Sequence, residues 1–191
     1  MTGHSFARAQ QRKTHDVTGK ILSLMIVVCA VVAGVALYYL QVYAYYEEVE
    51  PTGEGDVRMT SITSGEPEAI DHDGFEGIDA DSSPIRYRAC FTTPTSLATL
   101  TETYVPYEGA VPLEAPGWFE CFDAGEVGAA LEEGRALAFM GEENLEYGID
   151  RIVAVAEDGR GWVWHQINHC GEKVFDGQPA PEDCPTPPDR Y

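Results

Sequence analysis

The stretch "GIDRIVAVAEDGRGWVWHQI", Gly148 to Ile167, decides the fold. Its two apolar runs, "GIDRIVAVA" and "GWVWHQI", are joined by "EDGRG". An Asp-Gly pair between such runs signals a hairpin, because tight hairpin turns need backbone angles that these residues accept. The runs therefore read as neighbouring antiparallel strands, and "ALAFM" (Ala136–Met140) reads as a third.

Upstream, "DAGEVGAALEEG" (Asp123–Gly134) reads as a helix. Asp123 and Glu126 have capping-box spacing, Val127, Ala130 and Leu131 form an apolar stripe, and Gly134 ends it. "TTPTSLATLTETY" predicts another helix, with Thr93 as N-cap, Pro94 in its first position, and Leu97 and Leu100 turned inward. "IRYRACF" alternates, with Ile85, Tyr87, Ala89 and Phe91 on one face and Arg86, Arg88 and Cys90 on the other. "VRMTSI" (Val57–Ile62) reads as a first strand, and "SGEPEAIDHDGFEGIDADSSP" as a loop that plugs Phe75 and Ile78 into the core. Late strands with helices between them give an α+β domain with a mostly antiparallel sheet and about two helices.

Before this domain, residues 21–46 carry no charge. Their first 20 residues, at about 1.5 Å each, match a hydrocarbon core of roughly 30 Å. The run is too long for a cleaved signal peptide and lacks its small-residue cleavage site. Val28 before Cys29 also argues against a lipid-modified cysteine. One N-terminal transmembrane helix results. Arg8, Arg12, Lys13 and Lys20 precede it, and no basic residue follows until Arg58, which predicts a cytoplasmic N-terminus and an exported domain. Tyr38, Tyr39, Tyr43, Tyr45 and Tyr46 suit an aromatic belt facing membrane lipid, although Tyr38 and Tyr39 lie deep for one. Tyr39, Tyr43 and Tyr46 share a helical face, and Ala30, Ala33, Gly34 and Leu37 form a small-residue stripe that lets a second helix approach. Both are candidate faces for a membrane partner.

The organisation is then a basic segment (1–20), the span (21–46), an acidic linker (47–56), the α+β domain (57–169) and a Pro-rich acidic tail (170–191). The chain's formal charge is −20, and after Lys20 there are 8 basic against 31 acidic residues, a formal −23. Such a surface repels nucleic acid and anionic headgroups, and steers in a basic partner. Of five cysteines, Cys29 lies in the span. Cys90, Cys121, Cys170 and Cys184 lie where an oxidising compartment favours disulfides. Three pairings are open, and proximity in sequence favours Cys90–Cys121 and Cys170–Cys184.

Chemistry is sparse. "WHQINHC" offers His165, His169 and Cys170 to a metal, but strand alternation separates the two rings. Asp71, Asp73, Glu76, Asp79 and Asp81 cluster as calcium prefers, without matching a calcium loop. Trp118, Trp162 and Trp164 suit a cleft or a core. There is no nucleophile elbow, zinc-protease motif or phosphate loop, so no catalytic residue and no cofactor is assigned.

The strings "YYLQVYAYY", "SGEPE", "GFEGIDADSSPIRYRACFTT", "LTETYVPY", "APGWFECF", "IDRIVAV" and "DGRGWVWHQIN" resemble a family of small single-span membrane proteins of alphaproteobacteria, known only as a domain of unknown function. The resemblance runs from about Lys20 to Asn168. It implies a bacterial inner-membrane protein with a periplasmic domain, and it brings no activity, cofactor or catalytic residue. The tail looks like an addition past the family's usual end, which would make a Cys170–Cys184 bond particular to this chain. The expected role is that of a non-enzymatic accessory or assembly subunit of a membrane complex, respiratory or otherwise energy-transducing, or one that meets a basic periplasmic protein. The alternative is a periplasmic ligand- or metal-binding sensor domain, with Tyr104–Phe122 and His165 lining the site.

Overall fold

A computed structural model describes residues 4–189, with side chains from Gly19 onward. The basic residues Arg8, Arg12 and Lys13 lie outside the described side chains. The chain divides into two compact units, Met1–Ala44 and Tyr45–Tyr191.

The first unit is one helix, α1 (His4–Tyr39), continued by a π-helical turn at Leu40–Ala44. Among the described residues, Gly19–Ala44, 26 residues, is long and apolar enough to cross a membrane. Helical rise gives it about 39 Å, enough for a hydrocarbon core of roughly 30 Å.

The second unit contains a six-stranded sheet in the order β1-β4-β5-β8-β7-β6, antiparallel throughout. Its strands are β1 (Glu47–Val49), β4 (Asp73–Asp79), β5 (Arg88–Thr92), β6 (Ala136–Glu146), β7 (Ile149–Ala156) and β8 (Arg160–Ile167). A separate hairpin pairs β2 (Arg58–Thr60) with β3 (Pro67–Ala69). Among the described residues three helices complete the unit: α2 (Leu97–Thr103), α3 (Ala124–Glu132) and α4 (His169–Phe175). The α+β class with a mostly antiparallel sheet is thus the observed one.

The β7–β8 hairpin turns at Gly159, whose φ of 86° suits glycine. Both sheet faces are buried, which explains the nearly unbroken apolar run of β7. One face sets Ile78, Cys90, Ile152, Ala154, Trp162 and Trp164 against Phe119, Phe122 and the Val127–Ala130 stripe of α3. The opposite face sets Ala89, Phe91, Val153, Val155 and Val163 against Val57, Met59 and Ile70 of the hairpin region and Leu100 of α2. Each Val, Leu, Ile, Phe or Met among them, fully buried, contributes about 1.5–3 kcal/mol. At Gly161 an added Cβ would stand 2.2 Å from the Phe91 ring, so the missing side chain is what lets that ring cross β8. On the sheet's edge, β6 is covered by the segment 105–107, through Met140 N–H to Val105 O and Tyr107 N–H to Ala138 O, both 2.9 Å.

Four local expectations differ from the fold. The stretch Ser64–Pro84 holds β3 and β4 instead of a loop. A register shift falls between Asp73 and Glu76, and from Phe75 on the strand alternates, so Phe75 and Ile78, an odd number of residues apart, join opposite faces. The acidic linker begins as a strand, since Glu47–Val49 pairs with Gly77–Asp79. The N-cap of α2 is Ser96, which accepts from Thr99 N–H at 3.2 Å. Thr93 instead donates its hydroxyl to Asp71 O at 2.7 Å. The tail, too, opens with a helix, α4, capped by Asn168. By contrast Asp123 caps α3 as its spacing predicts, accepting from Glu126 N–H at 3.0 Å.

Candidate functional site

Tyr38, Tyr39 and Tyr43 are exposed aromatics on an apolar helix. Tyr39 and Tyr43 stack with centroids 5.9 Å apart, and Tyr38 meets Tyr43 edge-on at 6.3 Å. A π-helical turn is wider than an α-turn, which places i and i+5 as neighbours, so both upstream rings reach Tyr43. Ala30, Ala33, Gly34 and Leu37 are exposed on the same helix, and nothing lies within 4 Å of where a Gly34 side chain would start.

Tyr46 does not continue this face. It has left the helix and packs in the second unit, 6.1 Å from Trp118 edge-on, with its hydroxyl accepting from Arg86 Nη1 at 3.4 Å. Beside it opens a groove of about 410 Å³ lined by Glu48, Glu76 and Glu120 over Val49, Ile78 and Phe119.

The side chains with reactive potential are mostly engaged in structure. His165 is buried, stacked on Tyr87 at 4.7 Å. Its Nδ1–H donates to Pro84 O at 2.7 Å, and its Nε2 accepts from Arg151 Nε–H at 3.0 Å. Burial, followed by the charges of Arg151 and Arg88, pushes it down to about 4, so at neutral pH the ring is uncharged. That state is the one both hydrogen bonds require. Arg151 also lies 4.8 Å over the Tyr87 ring.

Arg88 is buried and donates to four backbone carbonyls: Leu113 (2.7 Å), Ile85 (2.8 Å), Tyr87 (2.6 Å) and Glu114 (3.1 Å). It pins the loop carrying Leu113 and Glu114 to β5. Desolvation lowers it to about 10, still charged at neutral pH. The carboxylates Asp73, Glu76 and Asp79 are strung along strand β4, which spans roughly 20 Å from Asp73 to Asp79, so they cannot converge on a calcium ion.

A buried network missed by sequence reasoning centres on Asp150. It accepts from Asn168 Nδ2 at 2.7 Å, Asn144 N–H at 2.9 Å and Tyr107 OH at 3.3 Å. Burial and this carboxylate push Tyr107 up to about 12. Asn168 in turn accepts from the amides of Cys170 and Gly171, starting α4 and fixing where His169 and Cys170 stand.

The metal-prone string "WHQINHC" splits here, since His165 is inside the sheet and His169 is exposed on α4. The disulfides are Cys90–Cys121 and Cys170–Cys184, with Cα–Cα separations of 6.2 and 5.8 Å. Cys29 is a free thiol on the apolar helix. Trp162 and Trp164 are core residues. The aromatic lining pictured for a ligand is also divided. Phe119 and Phe122 lie with Trp164 on one sheet face, whereas Tyr104 belongs with the other, where His165 stacks on Tyr87.

A family model described as a family of unknown function (DUF6446) matches residues 57–185. The match reaches past Cys170 and Cys184, so the tail disulfide lies within the family region and not beyond its end. No curated protein and no solved structure matches the chain.

Proposed function

We propose that this chain, which belongs to the family of unknown function DUF6446, serves as an accessory or assembly subunit of a bacterial inner-membrane complex. Its N-terminus faces the cytoplasm and its acidic domain the periplasm, where the two disulfides suit an oxidising compartment. The observation that carries this reading is the apolar helix with the stacked, exposed Tyr39–Tyr43 pair. Aromatic rings placed below a belt, beside a small-residue stripe, offer a packing surface for a neighbouring helix. Around the domain, 31 acidic residues against 8 basic ones after Lys20 favour a basic partner and disfavour anionic surfaces.

Site-specific photocrosslinking tests the reading. With a benzophenone side chain in place of Tyr39 or Leu37, a discrete protein adduct at native expression is the expected result. Adducts with lipid alone, from both positions, would overturn it.

A further inference from the structure

We propose that His169, Cys170, Asp183 and Cys184 form a redox-gated metal site, which opens to a thiophilic divalent cation such as Zn²⁺ when the Cys170–Cys184 bond is reduced. The inference is independent of the accessory role, since it concerns a ligand of the domain itself.

The imidazole and the two sulfurs already lie within 4.8 Å of one another, and Asp183 stands against the imidazole. His169 Nε2 stands 3.6 Å from Cys170 Sγ, 3.4 Å from Cys184 Sγ and 3.0 Å from Asp183 Oδ2. Tetrahedral zinc, with bonds of about 2.3 Å to sulfur and 2.0–2.2 Å to nitrogen or oxygen, gives edges of about 3.5 Å for S–N, 3.4 Å for N–O and 3.8 Å for S–S. Three edges of such a tetrahedron are therefore present within a few tenths of an ångström. The remaining changes are separation of the two sulfurs, which reduction permits, and a swing of the exposed Asp183 carboxylate towards them.

Local structure explains why the group assembles. Asp150 holds Asn168, and Asn168 starts α4, which fixes His169 and Cys170 side by side. A turn from Cys184 N–H to Pro181 O returns Asp183 and Cys184 to the same place. His169 and Asp183 are exposed, which gives a cation an entry path, while Cys170 is buried beneath. No part of the disulfide requires an imidazole against both sulfurs, whereas a metal site does.

The chemistry balances with a dithiol as reductant. Its thiolate attacks the more accessible Cys184 Sγ, the Cys170–Cys184 bond breaks, and Cys170 leaves as a thiolate. The second thiol of the reductant then displaces Cys184, so two electrons pass to the protein and the reductant becomes a disulfide. Binding of M²⁺ releases two protons from the two thiols, and the His169 proton moves from Nε2 to Nδ1, which frees Nε2 as a ligand. Oxidation by a disulfide reverses the sequence and expels the cation.

The test uses the full chain in detergent, reduced with a phosphine, freed of metal and titrated anaerobically with Co²⁺. One equivalent of Co²⁺ should produce thiolate-to-cobalt charge transfer in the near ultraviolet and intense tetrahedral d–d bands. Zn²⁺ should abolish both, and the oxidised chain should show neither. Cys170→Ser/Cys184→Ser should lose the charge transfer while retaining Cys90, Cys121 and Cys29. His169→Ala, at an exposed position, should weaken binding at least about tenfold, since loss even of a ligand's hydrogen-bond partner typically costs that much. The proposal is overturned if the reduced chain binds no cobalt, if charge transfer survives in the double serine variant, or if His169→Ala binds as tightly as the native chain.

Discussion

The imidazole of His165 lies face to face with the phenol of Tyr87, with ring centroids 4.7 Å apart and planes 12° from parallel. Because the folded ring titrates at about 4 and an unfolded histidine at about 6.5, the unfolded chain takes up the proton first. Stability from this group is therefore level above about pH 6.5 and falls as pH drops towards 4, by on the order of 3 kcal/mol in all. Denaturant melts of the domain between pH 7 and pH 4 should show this loss, and His165→Phe should flatten that part of the profile. An equal slope in the variant would remove His165 as its source.

Arg88 makes a second prediction. A lysine there carries the same charge but cannot reach four carbonyls from one planar group. Arg88→Lys should destabilise the domain by roughly 2–4 kcal/mol, since buried carbonyls lose their donors. Hydrogen exchange should rise first in the loop that includes Leu113 and Glu114.

Gly161→Ala tests the packing of the sheet. The new methyl meets the buried Phe91 ring, which has little room to retreat. A loss of about 2 kcal/mol or more is expected, whereas Gly128→Ala, with open space around its added carbon, should be neutral or mildly stabilising.

Removing Cys90–Cys121 frees a loop with a sequence separation of 31 residues. Cys90→Ala/Cys121→Ala should cost on the order of 4 kcal/mol by chain-entropy reasoning, read as a lower denaturation midpoint in the non-reduced protein.

How much of this was legible in the sequence depended on whether the signal was local. Asp158-Gly159 between two apolar runs announced the β7–β8 hairpin, and Asp123 with Glu126 announced α3, because turns and caps act within a few residues. Strand β4 was hidden because its two large apolar residues, Phe75 and Ile78, serve opposite faces and stand among acids and glycines, which leaves no one-sided apolar stripe. Thr93 reads as the cap of α2 from local spacing, and the Asp71 carbonyl that takes its hydroxyl lies 22 residues away in the chain, beyond any local signal. The settings of His165 and Arg88 were not legible at all. Their partners, Pro84 and Arg151 in one case and Leu113 and Glu114 in the other, come from segments brought together by the sheet. The Tyr39–Tyr43 pairing was visible as helical spacing. Tyr46 was misplaced on that face because the end of a helix is weakly marked when no Gly or Pro follows it.

Purification of the native-level protein in mild detergent, followed by mass measurement of the intact species, tests the accessory role most directly. A stable assembly with at least one other membrane protein is expected, and Tyr39→Leu/Tyr43→Leu should release the chain from it while leaving membrane insertion unchanged. A chain that emerges alone, with the same mass in native and variant forms, would contradict the account.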